Sequence, residues 1–571
     1  MKLLSLHCDY IKFKPVKKAL KEPEELSEND KKEKQVKEAL VILTSVEKGD
    51  DIRIVEEYLK NIKDIAKQVK AKNIVLYPYA HLSSNLSLPE IAENVLKEAE
   101  LALKKDKEFS VTRAPFGYYK EFELKCKGHP LSELSRSIGK QETGTEGKTE
   151  VHREKEYDVK QLLKQISRSK LDTSKLKEND HRILGMKMDL FSFNETAPGM
   201  VFFHNNGLII YNELVKFWRE EHRKAGYLEI STPFFLDKKI WQISGHWEKY
   251  RENIFLTKYE ERDFAVKPMN CPGGMLVYKT SPKSYKDLPL RVGELGIVHR
   301  QELSGVLAGL FRVIKFTQDD AHIFCTEEHI NNEVMGIVQL IDRIYKKFNL
   351  PFHIEFSTRP PKRIGTDKEW DVAEKLLEDV LKKNKLKFKL NPGEGAFYGP
   401  KIDFHIKDSQ GRTWQTATIQ LDFAMPERFD LTYTDRDNKE KRPVMLHRTI
   451  FGSLERFIGI LLEHLNGNLP VWLSPVQARV LSFIDRNVKS AEKLANELKN
   501  TGIRADADLE NSTIESKVRN ASMQHIPYII VLGDKEEKAK TLAVRTRDGK
   551  VKSCKLEEFL KKVKREIAER E

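Results

Sequence analysis

A chain of 571 residues is too long for a single hydrophobic core, so we expect about three or four domains. The net charge of +13 favours a polyanionic partner, although 33% charged residues is also typical of a thermophilic surface rich in Lys and Glu. The five cysteines are dispersed, odd in number and form no CxxC, which argues against a disulfide framework. No apolar run of membrane-spanning length and no signal-peptide core is found, so we expect a cytoplasmic protein that does not bind membranes.

The first 138 residues predict a small α/β unit. The N-terminus alternates like a strand, residues 51–70 have the periodicity of a helix, and NIVLYPY is typical of a buried strand. The segment KQETGTEGKTEVHREKEYD that follows is polar and nearly free of large apolar side chains. We therefore expect one domain at 1–138 and a linker at 139–180.

Residues 181–470 predict a large domain built on antiparallel strands. We expect a helix at 206–225 and strands at RVGELGIVHR, VIKFTQ and TWQTATIQLDF. The sequence contains no repeated strand-Gly-helix unit, which a parallel sheet would require, so antiparallel strands fit better. Residues 471–571 alternate between short apolar runs, such as PYIIVLG, and helical patterns, such as SAEKLANELKNTG. That alternation predicts a second α/β domain with a mostly parallel sheet.

Cys271, His322 and His447 are candidate metal ligands. They lie in the segments KPMNCPGG, FRVIKFTQDDAH and VMLHRTIFGSLER. Two imidazoles and one thiolate form a zinc set that leaves the fourth tetrahedral position open to a substrate. A lone cysteine of this kind is more often a small buried hydrophobe, and a lone histidine is more often structural. The residue types therefore allow a zinc site, but sequence separation alone does not bring them together.

These segments, together with RVGELGIVHRQELSG, resemble class II threonyl-tRNA synthetases from about residue 182 to the end. The first unit, with HCDY, YPYAHLSSNL, APFGYYK and CKGHPLSELSR, resembles the archaeal-type editing domain of that family, which is similar to D-aminoacyl-tRNA deacylases. The resemblance implies an α/β and α+β multidomain fold. It has an N-terminal α/β editing domain, a class II catalytic domain on an antiparallel sheet flanked by helices, and a C-terminal α/β anticodon-binding domain.

The implied activity is that of a threonine–tRNA ligase, with L-threonine, ATP, Mg²⁺, tRNA(Thr) and one Zn²⁺ per subunit. Adenylation must neutralise several negative charges, a task that suits the forked, permanently charged guanidinium. The resemblance gives catalytic roles to Arg300, Arg456, Gln318 and His246, and ATP contacts to Arg300, Glu302, Arg312, Phe316, Gln420 and Arg456. For Gln420, a place in the substrate shell is the alternative. Taken singly, such arginines are more often ion-pair or surface residues.

A metal gives the expected enzyme a way to reject valine, which is nearly isosteric with threonine. An apolar pocket separates two such side chains by only about 100-fold, whereas zinc would bind both the amine and the hydroxyl of threonine. The resemblance implies threonine contacts from Asp320, Gln318, Tyr398 and Arg300, on a zinc held by Cys271, His322 and His447. Asp319 and Asp320 could instead be ordinary loop acids.

Serine also carries an amine and a hydroxyl, and it differs from threonine by one methyl group, worth roughly 1–3 kcal/mol. An editing site is therefore physically expected. The resemblance places that site at Lys18, His81, Tyr119, Lys120 and Glu133. Lysines in a stretch such as FKPVKKALK, which contains Lys18, more often form a solvated face than a site.

One position departs from the family. The usual MNCPGH reads MNCPGG here, so Gly274 replaces a histidine near the expected entry of the tRNA terminus. His246, in SGHWEKY, could orient or deprotonate the attacking ribose hydroxyl, or it could be a structural partner of Trp247.

The remaining expectations concern tRNA choice and assembly. Anticodon bases can be read on their edges by paired hydrogen bonds, and the resemblance assigns that role to Asn511, Arg519, Glu536 and Arg545. The segment AGYLEISTPFFL, around Pro233, resembles the motif through which class II domains form homodimers, although its composition also fits a plain core. The alternatives are a tRNA- or DNA-binding paralogue without activity, or a free-standing deacylase.

Overall fold

The structure, a computed structural model, describes residues 1–20, 23–83, 85–129, 131–138, 163, 166 and 173–571. They form two compact units, one within residues 1–156 and one within residues 157–571. Most of the linker predicted at 139–180 lies outside the described residues. Among the described residues, no helix combines the length and the apolar character that crossing a membrane requires.

In its described residues, the first unit is a mixed sheet with two α-helices. Its strands are Lys2–Lys18 (β1), Lys34–Ser45 (β2), Asn73–Pro78 (β3), Ser110–Arg113 (β4), Tyr118–Cys126 (β5) and Glu133–Ser137 (β6). Its helices are Val55–Val69 (α1) and Pro89–Lys104 (α2). The sheet has the order β4-β3-β2-β1-β5, and β6 also pairs with β1. Helix α1 buries Tyr58, Ile62 and Ile65, which confirms the periodicity predicted for 51–70.

The second unit begins with the large antiparallel domain. Its strands are Phe191–Ser192 (β7), Phe202–Phe203 (β8), Leu228–Glu229 (β9), Phe235–Asp237 (β10), Leu256–Tyr259 (β11), Arg262–Val266 (β12), Leu290–His299 (β13), Lys315–Cys325 (β14), Phe352–Ser357 (β15), Phe388–Asn391 (β16), Lys401–Lys407 (β17), Thr413–Asp422 (β18), Tyr433–Thr434 (β19), Glu440–Lys441 (β20) and Val444–Thr449 (β21). Its helices are His181–Lys187 (α3), Asn205–Lys224 (α4), Lys238–Ile243 (α5), His246–Lys249 (α6), Cys271–Tyr278 (α7), Ile330–Lys346 (α8), Asp367–Lys383 (α9), Ala424–Arg428 (α10) and Leu454–His464 (α11).

An eight-stranded sheet organises this domain, in the order β16-β15-β17-β18-β21-β14-β13-β9. The five pairings from β15 to β13 are antiparallel, as the sequence predicted. One face packs on the largest apolar cluster, which includes Ile323 of β14, Ile337 of α8 and Leu461 of α11. The opposite face meets a second cluster that includes Cys271 and Met275 of α7. Side chains that alternate along β14 therefore enter different environments.

The C-terminal part contains a five-stranded sheet in the order β23-β22-β24-β25-β26. Its strands are Ala478–Ser482 (β22), Ala505–Asp508 (β23), Tyr528–Leu532 (β24), Leu542–Thr546 (β25) and Val551–Cys554 (β26). Its helices are Val488–Asn500 (α12), Ile514–Met523 (α13), Asp534–Ala539 (α14) and Leu556–Glu569 (α15). Only β23, β22 and β24 pair in parallel, so the sheet is mixed rather than mostly parallel. The reason is local, because β25 and β26 form a hairpin that adds antiparallel to β24.

Candidate active site

Strand β14 presents the predicted site residues on one face. Its successive side chains alternate between the two faces of the sheet. Ile323 and Cys325 enter the helix-covered core, whereas Phe324 enters the cluster around α7. The same alternation puts four predicted residues on the α7 side, namely Phe316, Gln318, Asp320 and His322.

The three predicted metal ligands come together on this face. His322 lies opposite His447 in the pairing of β14 with β21, and Cys271 is the first residue of α7. Their ligand atoms all lie within 4.8 Å of one another, and all three side chains are buried. His322 Nε2 is buried and has no hydrogen-bond partner. Leaving such an atom unsatisfied costs about 1–3 kcal/mol, which a metal bond would offset.

The protonation chemistry of this group suits a metal that binds nitrogen and sulfur. Burial lowers the pKa of His322, so the imidazole is neutral and has a free lone pair. Burial, reinforced by Asp320 and Asp422, raises the pKa of the Cys271 thiol, which must lose its proton when a metal binds. The donor set of two imidazoles and one thiolate fits zinc.

A second cluster of acids and a histidine is structural. Asp180, His181 and Glu463 also lie within coordination distance of one another. However, His181 Nδ1 donates to Glu463 Oε1 at 2.7 Å, and its Nε2 accepts from the backbone N–H of Leu310 at 2.9 Å. Both ring nitrogens are therefore occupied, and none is left for a metal.

The predicted threonine contacts surround the metal group. Asp320 Oδ2 lies 3.8 Å from His322 Nε2 and accepts a hydrogen bond from Asn270 Nδ2 at 3.3 Å. The Tyr398 ring centroid is 4.9 Å from that of His447. Its hydroxyl donates to Gln420, which lies opposite His447 in the pairing of β18 with β21. Gln420, predicted as an ATP contact, thus lies beside the metal group.

Asp319 faces the other side of β14. Its carboxylate accepts the backbone N–H groups of Ile450, Phe451 and Gly452 at 2.8–3.0 Å. Burial raises its pKa to about 6. Both Asp319 and Asp320 belong to a strand, so the alternative of ordinary loop acids is wrong. Asp319 ties β14 to the chain that leaves β21.

A cavity of about 450 Å³ adjoins Gln318 on the same face. The predicted residues that line it are Arg300, Glu302, Arg312, Phe316, Gln318 and Arg456. Residues not predicted also line it, among them Tyr250, Asn253, Thr449 and Ser453. The structure therefore collects every predicted ATP residue except Gln420 around one space.

The contacts in this cavity leave positive charge without a matching number of anions. The Arg300 guanidinium carbon lies 5.1 Å from the centre of the Phe316 ring. Arg312 pairs with Glu302 at 2.8 Å, and Arg456 Nε donates to the carbonyl of Phe311. Burial, with repulsion from Arg312 and Arg300, lowers the pKa of Arg456. A polyphosphate would relieve that repulsion.

His246 is fully buried between Ser244 and Met269. Its Nδ1 lies 2.8 Å from Ser244 Oγ, and its Nε2 lies 2.8 Å from Met269 Sδ. Burial, with His447 and Arg300 nearby, lowers its pKa to about 3, so the ring is neutral. These contacts fit the structural alternative, although its predicted partner Trp247 is not among them.

In the first unit, Lys120 and His81 lie along a chain of aromatic rings. Lys120 Nζ is 5.1 Å from the centre of the Tyr77 ring, Tyr77 contacts Tyr79, and Tyr79 contacts His81. Burial lowers the pKa of Lys120 to about 8, and its ammonium donates to two backbone carbonyls.

The other three predicted editing residues are more dispersed. Lys18 and Tyr119 are exposed near the paired ends of β1 and β5. Glu133 lies on β6 opposite Leu6, on a different part of β1 from Pro15, which lies opposite Lys120. The contacts of Lys120 and His81 therefore define the better-formed part of this site.

The predicted anticodon residues divide into two places. Asn511 and Glu536 follow the carboxyl ends of β23 and β24, and Arg519 is exposed on α13. Ligands commonly bind at this edge of a parallel sheet. Arg545 lies on β25 opposite Ile529, towards the other end of β24.

Sequence reasoning missed two polar residues beside the metal group. Asn270 contacts Asp320, and Asp422 Oδ2 lies 2.8 Å from His447 Nε2. A signal for Asp422 was present, because it stands two positions after Gln420 in a strand and so shares its face.

Comparison with known families now matches each part of this architecture. The model for the archaea-specific editing domain of threonyl-tRNA synthetase matches residues 1–138. The class II tRNA synthetase core domain (G, H, P, S and T) matches residues 255–465, and the anticodon binding domain matches residues 474–566. The antiparallel sheet and its arginine-lined cavity thus correspond to the core of a class II aminoacyl-tRNA synthetase.

Among class II aminoacyl-tRNA synthetases, the similar curated proteins are threonine–tRNA ligases. A threonine–tRNA ligase of Desulfatibacillum aliphaticivorans is 56% identical over 388 residues, and one of Acetivibrio thermocellus is 52% identical over 396. These matches cover 68% and 69% of the chain, which spans 61% and 62% of those relatives.

Two solved structures agree. The RNA binding domain of threonyl-tRNA synthetase from Cryptosporidium parvum is 40% identical, with a TM-score of 0.66, over 68% of this chain and 98% of that one. A putative threonyl-tRNA synthetase from Aeropyrum pernix is 28% identical, with a TM-score of 0.60, over 68% and 96%. The chain belongs to the threonyl-tRNA synthetase family.

The glycine that replaces the family's histidine generates a stability prediction. A Cβ at Gly274 would lie 3.5 Å from His322 Nδ1, which is an ordinary contact. Because Gly274 is inside α7, G274A should stabilise the protein by about 0.5–1 kcal/mol and raise the melting temperature in chelator. The matched control is G273A, whose Cβ would lie 2.8 Å from Thr232 and should lower it. A lower melting temperature for G274A would contradict the prediction.

Proposed function

We propose that this chain is a threonine–tRNA ligase. It activates L-threonine with ATP and Mg²⁺, transfers the threonyl group to the 3′ end of tRNA(Thr), and hydrolyses mischarged seryl-tRNA(Thr) in its N-terminal unit. The observation that carries the proposal is the position of the metal group and the arginine-lined cavity on one face of one sheet. Gln318 lines the cavity, and His322 lies four residues, roughly 13 Å, further along β14.

We also propose the division into an editing domain at 1–138, a linker at 139–180, a catalytic domain at 181–470 and an anticodon-binding domain at 471–571. A cytoplasmic location fits a role in protein synthesis. The matches of separate family models to residues 1–138, 255–465 and 474–566 support the three folded parts.

In the proposed adenylation, a threonine carboxylate oxygen attacks the α-phosphorus of ATP and pyrophosphate leaves. Arg300 lies between the two substrates and holds both the carboxylate and the α-phosphate. Arg312 and Arg456 bind the outer phosphates, Phe316 stacks on adenine, and Glu302 accepts from its amino group. Because backbone carbonyls already hold Arg300 and Arg456 before substrate binds, these two cations need little reorganisation as charge moves onto pyrophosphate.

Selection of threonine rests on the metal group. When bound, zinc supplies coordination positions for the amine and the side-chain hydroxyl. Asp320 accepts from that hydroxyl, while Tyr398 contacts the amine and Gln318 the carboxylate side. Valine offers no hydroxyl, so the buried carboxylate of Asp320 would keep its hydrogen bond from Asn270 but lose the one from the substrate, a cost of about 1–3 kcal/mol.

Transfer and tRNA choice use the rest of the chain. A ribose hydroxyl of the tRNA 3′ end attacks the threonyl carbonyl and AMP leaves. The neutral His246 does not contact the tRNA directly but orients the site through its contact with Met269. Asn511, Arg519, Glu536 and Arg545 read the anticodon by hydrogen bonds to base edges.

Activation of the amino acid can be measured as exchange of pyrophosphate into ATP. Exchange of pyrophosphate into ATP should be fastest with threonine, slower with serine and nearly absent with valine. Removal of zinc by a chelator should abolish it. Because Arg456 is half-buried among like charges, R456M should reduce exchange by about 10²–10³-fold without lowering the melting temperature.

The matched control for this assay is R343A, which changes an exposed arginine on α8 and should leave exchange unchanged. No exchange with any amino acid, in folded and zinc-loaded protein, would overturn the ligase proposal. It would favour the paralogue without activity or the free-standing deacylase.

The editing unit has its own pH prediction. The Lys120 ammonium contacts the tRNA 3′ end, and it is charged only below its pKa of about 8. Enzymatic hydrolysis of seryl-tRNA(Thr), corrected for spontaneous hydrolysis, should therefore fall about tenfold between pH 7 and 9. K120R keeps a permanent cation and should lose this dependence. Normal hydrolysis by a chain that lacks residues 1–138 would contradict the assignment of editing to this unit.

The expected homodimer can be tested on the segment AGYLEISTPFFL. Leu228, Phe234 and Phe235 are 61%, 48% and 57% exposed there, and a second copy would cover them. The protein should sediment at about twice the chain mass of 66.3 kDa, and F235E should sediment as a monomer. V551E changes an equally exposed residue of β26 and should remain dimeric. Sedimentation of the unmodified protein as a monomer would contradict the proposal.

A further inference from the structure

We propose that Asp422 is a positioning residue for the metal group. Its carboxylate holds the Nε2 proton of His447 and so leaves Nδ1 as the nitrogen for the metal. The inference rests on the metal site of the proposed function and adds a residue outside the three ligands.

The contact between the two side chains is close and buried. Asp422 Oδ2 lies 2.8 Å from His447 Nε2. Asp422 has no exposed surface, and His447 is 5% exposed. Because an ionised carboxylate can only accept, the imidazole must donate from Nε2. A neutral imidazole has one such proton, so the lone pair is on Nδ1.

Asp422 is itself held in place from two directions. It ends β18, two residues after Gln420, which lies opposite His447. Its other oxygen, Oδ1, accepts the backbone N–H of Met425 at 2.9 Å, in α10. The strand fixes the start of the side chain and the helix fixes its end. The ring of His447 therefore meets a rigid acceptor.

The neighbours of His447 complete its orientation. The His322 ring lies 5.0 Å away at an interplanar angle of 82°, and the Tyr398 ring lies 4.9 Å away. These contacts limit the tilt of the ring, but they do not choose between its two tautomers. Only a polar partner of a ring nitrogen makes that choice, and Asp422 is that partner.

The competing explanation is that Asp422 only holds the start of α10. The substitution D422N separates the two roles. Asparagine can keep the hydrogen bond from Met425 with its Oδ1, but it then presents its Nδ2 hydrogens to the Nε2 hydrogen of His447. Two donors face each other, so either the tautomer of His447 changes or the contact with Met425 is lost. A role limited to the helix would leave metal binding unchanged.

The experiment measures zinc affinity of the full chain by competition with a chromophoric chelator, which needs no catalytic turnover. Residues that orient metal-bound histidines are typically worth 10–100-fold in affinity. We expect D422N to bind zinc 10–100-fold more weakly, with a changed visible spectrum of the Co²⁺-substituted protein. D422E keeps a carboxylate and should retain more of the affinity.

The matched control is D403N, on the neighbouring strand β17. Asp403 is also buried. Its carboxylate accepts from Ser357, Gln415 and Thr418 and pairs with Lys401 at 2.8 Å, and none of these partners is a metal ligand. Its zinc affinity should equal that of the unmodified chain. An equal loss in D403N and D422N would mean that any lost carboxylate loosens the sheet, and it would overturn the inference.

D422E keeps the carboxylate and covers the case in which D422N folds poorly, and a double-mutant cycle tests whether Asp422 acts through His447. If Asp422 acts through His447, D422N should have no further effect on zinc affinity in an H447A chain. Full additivity would overturn the inference. Zinc affinity of D422N equal to that of the unmodified chain would also overturn it and leave the ligase proposal intact. Failure of the unmodified chain to bind one zinc would instead overturn the metal site itself.

Discussion

The pairing of β14 with β21 is the constraint on which the site depends. It sets His322 opposite His447, and a slip of one residue would turn β14's site face into its core face. Asp319 prevents such a slip, because its carboxylate binds three successive backbone N–H groups just beyond β21. The two faces of β14 thus have different roles. Asp319, on one face, fixes the register, and Asp320 and His322, on the other, face the metal group.

Groups that bind charged ligands lower the stability of the protein when no ligand is bound. Arg456 is half-buried beside two other arginines, and His322 Nε2 is buried without a partner. Each feature destabilises the free protein, and a bound anion or metal would reverse the effect. The apolar cluster on the other face, which includes Leu461 and Ile323, offsets that cost. One face of the sheet therefore stabilises the domain through apolar packing, and the other face holds the groups that bind ligands.

The sequence predicted the elements better than their partners. The patterns predicted α1, α4 and the antiparallel core, because periodicity depends on near neighbours along the chain. The patterns did not predict that β25 adds antiparallel to β24, nor that Gln420 lies beside His447. Both arrangements depend on strand pairing between segments that are distant along the chain. Asp422 was overlooked for a related reason. Its position two residues after Gln420 indicated its strand face, but its role depends on a histidine 25 positions away, which no sequence pattern pairs with it.

Under the proposed function, the two units answer two different physical problems. A metal group that binds an amine and a hydroxyl can reject valine, because a missing hydroxyl leaves buried polar groups unpaired. The same group must accept serine, whose donor atoms are those of threonine, and one methyl group discriminates by at most about 200-fold. No change in Cys271, His322 or His447 can remove this weakness without also weakening threonine binding. Rejection of serine therefore requires a second site with different chemistry, and the separate N-terminal unit, with the partly buried Lys120, provides one.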